Sequence, residues 1–394
     1  MLIAGEPSGD LLAAELVQAL RQEFAGRNAV FTTDYQPLHT GLEPRFFGAG
    51  GARMAAAGVD LAFDMTKHSV IGLTDVIKQL LKFRRLFQQL LRLARDRQPD
   101  VLVCVDFSEF NLRFAHAVRG LVRERQDWFH DWKPRIVRYV SPQVWASREG
   151  RARQVAEDCD LLLSIIPFEK AWYAKRVPRL PVEYVGNPVL DRYGPPRSYT
   201  SLNSSDPRIV LLPGSRSGEL TRHIPVMLGA LALIRMAIPD ARAVMVLPDE
   251  SLFALAKQFE LPKDLQLSAG NLPQALAEAT IAIASSGTVT IECAYFGIPT
   301  VAMYKTSWPN YQLAIRVATV RFLALPNILA DEEVFPEFIQ YVATPENIAS
   351  AALDLLKDEK RRAAIKARLS EIIAGLGPPG VARRAAQAIA KMLG

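Results

Sequence analysis

One pattern limits what this chain can become: short runs that are apolar at every position alternate with longer amphipathic runs from end to end. A strand apolar at every residue has both faces buried, and helices between the strands are what cover both faces of a parallel sheet. The first half predicts strands at 2–4, 45–47, 101–105, 136–140, 161–165 and 182–185. The second half repeats the theme at 209–212, 243–247, 265–267, 281–284 and 300–303. Asp191–Pro207 interrupts it with Pro, Ser and no apolar period, which reads as a linker. The expected fold is therefore α/β, with two facing, doubly wound, Rossmann-like domains and an interdomain cleft. The first domain spans 1–190, the linker 191–207 and the second domain 208–374. Helices are expected at 345–356, 359–373 and 381–392. The Gly/Pro break at Gly375–Gly380 frees the terminal segment, 375–394, to pack on the first domain or on a second subunit, so a homodimer is permitted.

Composition narrows the class. With 394 residues, 49% of them hydrophobic and 22% charged, the chain matches ordinary globular proteins and not disordered ones. Its longest apolar run, Val226–Ile234, is far short of the roughly 20 residues a spanning helix needs. The start, MLIAGEPSGD, lacks the basic and apolar regions of a secretory signal, so a cytoplasmic protein is expected. Cys104, Cys159 and Cys293 have no metal-ligand spacing, nor do the histidines at 39, 68, 116, 130 and 223, so neither a metal nor a cofactor is expected. The net charge of +6 is matched by the surplus within Lys67–Arg97 alone, which points to an anionic partner. There Val76, Ile77, Leu80, Leu81, Phe83, Leu86, Phe87, Leu90 and Leu91 recur at helical spacing among Lys78, Lys82, Arg84, Arg85, Arg92 and Arg95, with Ile71, Gly72 and Leu73 just before them. The stretch reads either as a core helix with a solvated face or as an interfacial helix on an anionic lipid surface. Without aromatic interleaving it does not read as a nucleic-acid site.

Four loops at predicted strand ends carry chemistry-bearing residues. Gly5-Glu6-Pro7-Ser8-Gly9-Asp10 precedes a helix expected near Leu11, and is either a substrate-contacting loop or a turn with Asp10 as N-cap. It lacks the three-glycine dinucleotide pattern. Asp106-Phe107-Ser108-Glu109-Phe110-Asn111 puts two carboxylates at a strand's carboxyl end. Asp106 could take a proton from a hydroxyl there, or Ser108 or Glu109 could simply start a helix. Gly214-Ser215-Arg216-Ser217-Gly218-Glu219 offers amides, a hydroxyl and a guanidinium to an anion such as a diphosphate. Ser285-Ser286-Gly287-Thr288 opens a helix whose N-terminus suits a phosphate, with Glu292 one turn on, placed either for a ribose diol or for an ion pair.

Together GEPSGD, DFSEFN, YVSPQVWA, LLPGSR, SSGTVTIECAYFGIPTVAMYK and LPNILA resemble the lipid-A-disaccharide synthase family, inverting glycosyltransferases of the GT-B fold. The resemblance spans nearly the whole chain. It implies transfer of 2,3-diacylglucosamine from UDP-2,3-diacylglucosamine to 2,3-diacylglucosamine 1-phosphate, with UDP leaving, at the cytoplasmic face of the inner membrane. The basic apolar stretch 71–92 would then meet the lipid surface. On this reading Asp106 and Glu6 are the catalytic candidates, Asp106 as the base for the acceptor 6-hydroxyl. The substrate-binding candidates are Ser8, Gly9, Asn111, Gly214, Ser215, Arg216, Glu219, Ser286, Gly287, Thr288, Glu292 and Asn327. Among them Arg216 neutralises the diphosphate and fixed cationic and dipolar groups stand in for a metal. The chain departs from the family pattern at Ser108 (for Pro), Glu109 (for Asp), Asn187 (for His) and Ser147 (for Trp). Competing readings are another GT-B UDP-sugar enzyme, such as the peptidoglycan lipid II transferase or a UDP-N-acetylglucosamine 2-epimerase, and a non-catalytic nucleotide-sugar-binding protein on the membrane.

Overall fold

The computed structural model describes residues 1–30, 44–66, 76–124, 131–193 and 206–393, with the side chains of 26–30 and 76–82 outside that description. Two compact units emerge, Met1–Asp191 together with Pro378–Gly394, and Arg192–Gly377.

The first unit is built on a seven-stranded sheet in the order β3-β2-β1-β4-β5-β6-β7. Its strands are β1 (Leu2–Ala4), β2 (Phe47–Gly50), β3 (Asp60–Asp64), β4 (Val101–Val105), β5 (Arg135–Tyr139), β6 (Leu161–Ser164) and β7 (Val182–Tyr184). Every pairing is parallel. Side chains alternate across a strand, so the continuous apolar runs split into two cores. Ile3, Leu102, Cys104, Ile136 and Leu162 face one layer of helices. Leu2, Ala4, Val103, Val105, Val137 and Tyr139 face the other. The helices are α1 (Pro7–Val30), α2 (Ala52–Ala56), α3 (Val76–Arg97), α4 (Ser108–Glu124), α5 (Arg151–Asp158), α6 (Glu169–Arg176) and the start of α7 (Val189–Tyr193), whose last two residues, Arg192 and Tyr193, belong to the second unit.

Along α3 the described side chains settle part of the question about the basic stretch. Phe83, Leu86, Phe87, Leu90, Leu91, Leu93 and Ala94 pack into the first core, and Arg84, Arg85, Gln88, Gln89 and Arg92 are exposed. Over 83–92 the apolar stripe is thus a core face and the charged stripe is the free one. Residues 67–75 and the side chains of Lys78, Leu80 and Lys82 lie outside the described residues.

The second unit carries a six-stranded sheet in the order β10-β9-β8-β11-β12-β13, also parallel throughout. Its strands are β8 (Arg208–Leu212), β9 (Arg242–Leu247), β10 (Gln266–Ala269), β11 (Ile281–Ser285), β12 (Thr300–Tyr304) and β13 (Glu337–Ile339). Its helices are α8 (Ser217–Ala237), α9 (Glu250–Ala256), α10 (Leu272–Ala277), α11 (Val289–Tyr295), α12 (Trp308–Val317), α13 (Leu325–Ala330), α14 (Pro345–Lys357) and α15 (Glu359–Ala374). By length and composition α8 could cross a membrane. It is instead a core helix: Leu220, Ile224, Met227, Ala230, Leu231 and Ile234 are buried, and it packs along α14.

Some elements differ from the sequence expectation, and the strand expected at 45–47 runs over Phe47–Gly50 instead. The segment read as linker begins inside α7, because Arg192 and Tyr193 are drawn to a buried carboxylate, Glu292. The edge strands β3 and β13 were not foreseen, because half-exposed strands lack the continuous apolar run. The terminal helix α16 (Val381–Leu393) returns to the first unit and lies along α1. It buries Val381, Ala385, Ala386, Ile389 and Ala390. The Asp191 carboxylate accepts from the Gly380 and Val381 amides, the latter at 2.7 Å, satisfying donors the helix start leaves open. Arg384 fastens the next turn through the carbonyls of Val185, Pro378 and Pro379. Asp191→Ala should destabilise this attachment by about 1–2 kcal/mol. Amide exchange of 381–393 should then speed up about tenfold while that of α14 holds steady; unchanged rates in α16 would show the cap to be idle.

Candidate active site

Each sheet reverses its strand order once, and at such a switch point the loops leaving neighbouring strands part and open room for a ligand. In the first unit the reversal lies between β1 and β4, and the loops that leave them are GEPSGD and DFSEFN. A side chain at Gly9 would come 3.6 Å from the Cβ of Asp106 and the carbonyl of Val105, so the two loops touch. A side chain at Gly5 would collide with the Phe107 ring, which explains the glycine there.

Asp106 and Phe107 both sit in the left-handed region, at φ +45° and +46°. For side chains of this kind that costs about 1–3 kcal/mol each and persists only when the surroundings over-determine it. They do. The Asp106 amide donates to Tyr139 O at 2.8 Å. The buried Asn111 amide donates to Val105 O at 3.1 Å and Asp106 O at 2.9 Å. Arg138, 1% exposed, gives Nη2 to Ser108 Oγ at 2.9 Å. The product is a half-exposed Asp106 carboxylate on a rigid turn, beside half-buried Glu6 and exposed Ser8.

Around this turn two further carboxylates organise the neighbouring loops. Glu109 binds Arg148 at 3.1 Å, makes a close ion pair with Arg151, and has Arg113 at 3.9 Å. The Arg151 hydrogen bond and the nearby guanidinium charges hold its carboxyl below the usual range. Glu169 is buried beneath the YVSPQVWA segment, accepting from Trp145 Nε1 at 2.7 Å and from the Ser164 hydroxyl. Burial pushes its pKa up to about 7 against the pull of these donors. The same pocket holds Ser141, whose hydroxyl lies 3.1 Å from the Tyr173 hydroxyl.

In the second unit the reversal lies between β8 and β11, followed by PGSRSGE and SSGT. Gly214 takes φ +122°, a conformation open to glycine, and lies against Glu219. The Glu219 carboxylate accepts from the Ser215 amide at 3.0 Å and faces Arg216 Nη1 at 3.4 Å. Ser215 and Arg216 are exposed, as are Gly287 and Thr288. Ser286 donates its amide to Met303 O at 2.8 Å and its hydroxyl to Glu337 at 3.2 Å. An exposed guanidinium with hydroxyls and turn amides is a donor set for phosphate oxygens.

The model of the lipid-A-disaccharide synthetase family matches residues 1–392. A lipid-A-disaccharide synthase of Myxococcus xanthus (strain DK1622) is 33% identical over 401 aligned positions, covering 100% of this chain and 97% of that protein. The chain belongs to the lipid-A-disaccharide synthetase family. With that membership come glycosyltransferase activity in lipid A biosynthesis and, as substrate classes, a UDP-sugar and a lipid acceptor. Two solved structures are alike in fold. One is S. aureus MnaA with UDP, at TM-score 0.61 and 14% identity, covering 100% of this chain and 96% of that one. The other is CalG4, the calicheamicin glycosyltransferase, at TM-score 0.55 and 15% identity, covering 100% and 96%. Both support the GT-B arrangement of two Rossmann-like domains.

Several candidate residues make their hydrogen bonds inside the protein. Asn111 is buried and spends its amide on the turn that carries Asp106. Asn327 is likewise internal, donating to Phe335 O at 2.8 Å and accepting from the amides of Val334 and Phe335. Glu292 is largely buried, and its Oε1 accepts from Arg192 at 2.9 Å and Tyr193 at 2.8 Å, the ion-pair arrangement that was one of the two expected for it. Glu219 shapes its loop from within. Asp10 does not cap its own helix, which starts at Pro7; it accepts from Gly51, Arg53 and Met54 and so caps α2.

One residue escaped the sequence reading because its partners are backbone groups far along the chain. His223, fully buried on α8, places Nδ1 2.7 Å from Pro213 O and Nε2 2.9 Å from the Lys305 amide. A neutral ring with the proton on Nδ1 satisfies both contacts and ties the phosphate-type loop to the end of β12. Burial lowers its pKa below the ordinary value of about 6.5. The unfolded chain then binds the proton more readily, so this contribution to stability is present above about pH 6.5 and is lost as pH falls below it. His223→Leu should cost about 2–3 kcal/mol at pH 7.5. The drop in thermal midpoint between pH 7.5 and pH 5.5 should be smaller in the variant than in the parent; equal drops would show that His223 does not titrate on unfolding.

Proposed function

We propose that the chain transfers 2,3-diacylglucosamine from UDP-2,3-diacylglucosamine to the 6-hydroxyl of 2,3-diacylglucosamine 1-phosphate, with inversion, forming the β-1,6 disaccharide 1-phosphate and UDP. The observation that carries the chemistry is the Asp106 carboxylate held on a strained, hydrogen-bonded turn at a switch point, against GEPSGD. A rigid carboxylate of this kind suits general-base work, since little reorganisation is left to the moment of proton transfer. Asp106 takes the hydroxyl proton as that oxygen bonds to the anomeric carbon and the bond to the diphosphate oxygen breaks. Glu6 and Ser8 supply hydrogen bonds to the sugars. Arg216, with Ser215 and the Ser286–Thr288 turn, receives the charge that develops on UDP.

Substrates carrying acyl chains require work at a lipid surface. In this reading the enzyme is cytoplasmic and peripheral on the inner membrane, with Arg84, Arg85 and Arg92 of α3 turned to anionic headgroups.

The reaction is tested by incubating the purified chain with both diacylated sugars. Disaccharide 1-phosphate and UDP should appear in equal amounts; the absence of disaccharide would overturn the reading. Asp106→Asn should lower kcat by about 10²–10⁴-fold with UDP affinity nearly unchanged, whereas a variant that turns over normally would remove Asp106 as the base. Arg216→Ala should weaken UDP binding and slow turnover together, by roughly tenfold or more.

A further inference from the structure

The Glu109 cluster is charged out of proportion to any structural need. Three guanidinium groups, of Arg113, Arg148 and Arg151, converge on one carboxylate, leaving two positive charges uncompensated among the described residues. The other acidic residue of that loop, Glu149, is engaged by Arg176. All members are partly open to solvent, Arg151 least at 33% and Arg113 most at 77%. The cluster stands beside the proposed base. Glu109 lies in the first turn of α4, directly after the Asp106 turn. Arg148 and Arg151 follow β5, which is paired side by side with β4. Beneath the same turn lies Arg138, whose Nη1 is buried with no hydrogen-bond partner among the described residues. The first turn of a helix of 17 residues adds its own positive end.

We infer that Arg148 and Arg151, pre-aimed by Glu109 and backed by Arg113, bind the phosphate monoester of the acceptor. The inference rests on the acceptor assigned under Proposed function and deepens it. A phosphate monoester carries about −1.5 to −2 charge at neutral pH, which matches the surplus, and guanidinium forks suit its oxygens. Donor diphosphate chemistry is already served in the second unit by Arg216. Glu109 holds both side chains in place before the ligand arrives, so less rotamer freedom is lost on binding. The subsite explains acceptor choice: a sugar lacking the phosphate leaves the charges unpaired.

The test compares the acceptor with its dephosphorylated form in neutral detergent micelles, free of phospholipid. The parent enzyme should favour the phosphorylated acceptor by about 100-fold in kcat/KM, and the Arg148→Gln/Arg151→Gln variant by less than about fivefold. The KM for the UDP-sugar should stay constant. A preference that survives in the double variant overturns the subsite, as does an equal loss on both acceptors. Loss of binding to phosphatidylglycerol vesicles with the preference intact would assign the cluster to lipid headgroups and overturn it too. Direct binding of the two sugars to the intact chain, measured by calorimetry, separates this inference from the reaction. If no disaccharide forms but the phosphorylated sugar still binds through these arginines, the subsite stands and the proposed reaction falls.

Discussion

A single buried amide governs the geometry of the first unit's functional end. Asn111 reaches back from the first turn of α4 and hydrogen-bonds the carbonyls of Val105 and Asp106. Without that grip, two consecutive side chains in left-handed backbone would relax to ordinary turns and the carboxylate of Asp106 would move. The arrangement is costly even as it stands, since Asn111 Oδ1 is buried without a partner among the described residues. An unsatisfied buried acceptor of this kind costs about 1–3 kcal/mol. Its retention makes sense where the position of one carboxylate matters more than local stability.

The second unit solves the same problem by a different route. Its anion-type loop is stiffened from below by Glu219 on the Ser215 amide and from behind by His223, which spans from Pro213 to Lys305. In both units, then, the exposed loop groups are set by more deeply placed polar side chains. Preorganisation of this sort lets fixed dipoles meet developing charge without moving.

Much of this was legible beforehand and some was not, for physical reasons. Central strands such as 101–105 announce themselves because burial on both faces demands apolar residues throughout. The edges β3 and β13 do not, because one side meets solvent and the pattern dissolves into mixed residues such as DLAFD. The loops at the switch points could be picked out by glycine, hydroxyl and charge. The roles within them could not be sorted the same way. Asn111, Asn327 and Glu292 belong to residue types that serve a ligand and the protein's own polar groups alike, and only the fold shows which internal partners each has. His223 looked isolated because its partners are main-chain groups, which leave no trace in residue identity.

The contact between Arg138 and Ser108 couples a loop to the strand beneath it. A proline at 108 would offer no hydroxyl, and the guanidinium below it, whose Nη1 already has no partner among the described residues, would lose another in a place that is 1% exposed. A change of the serine is therefore felt by a buried charge one strand away, and a loop graft here is also a change to the sheet's interior.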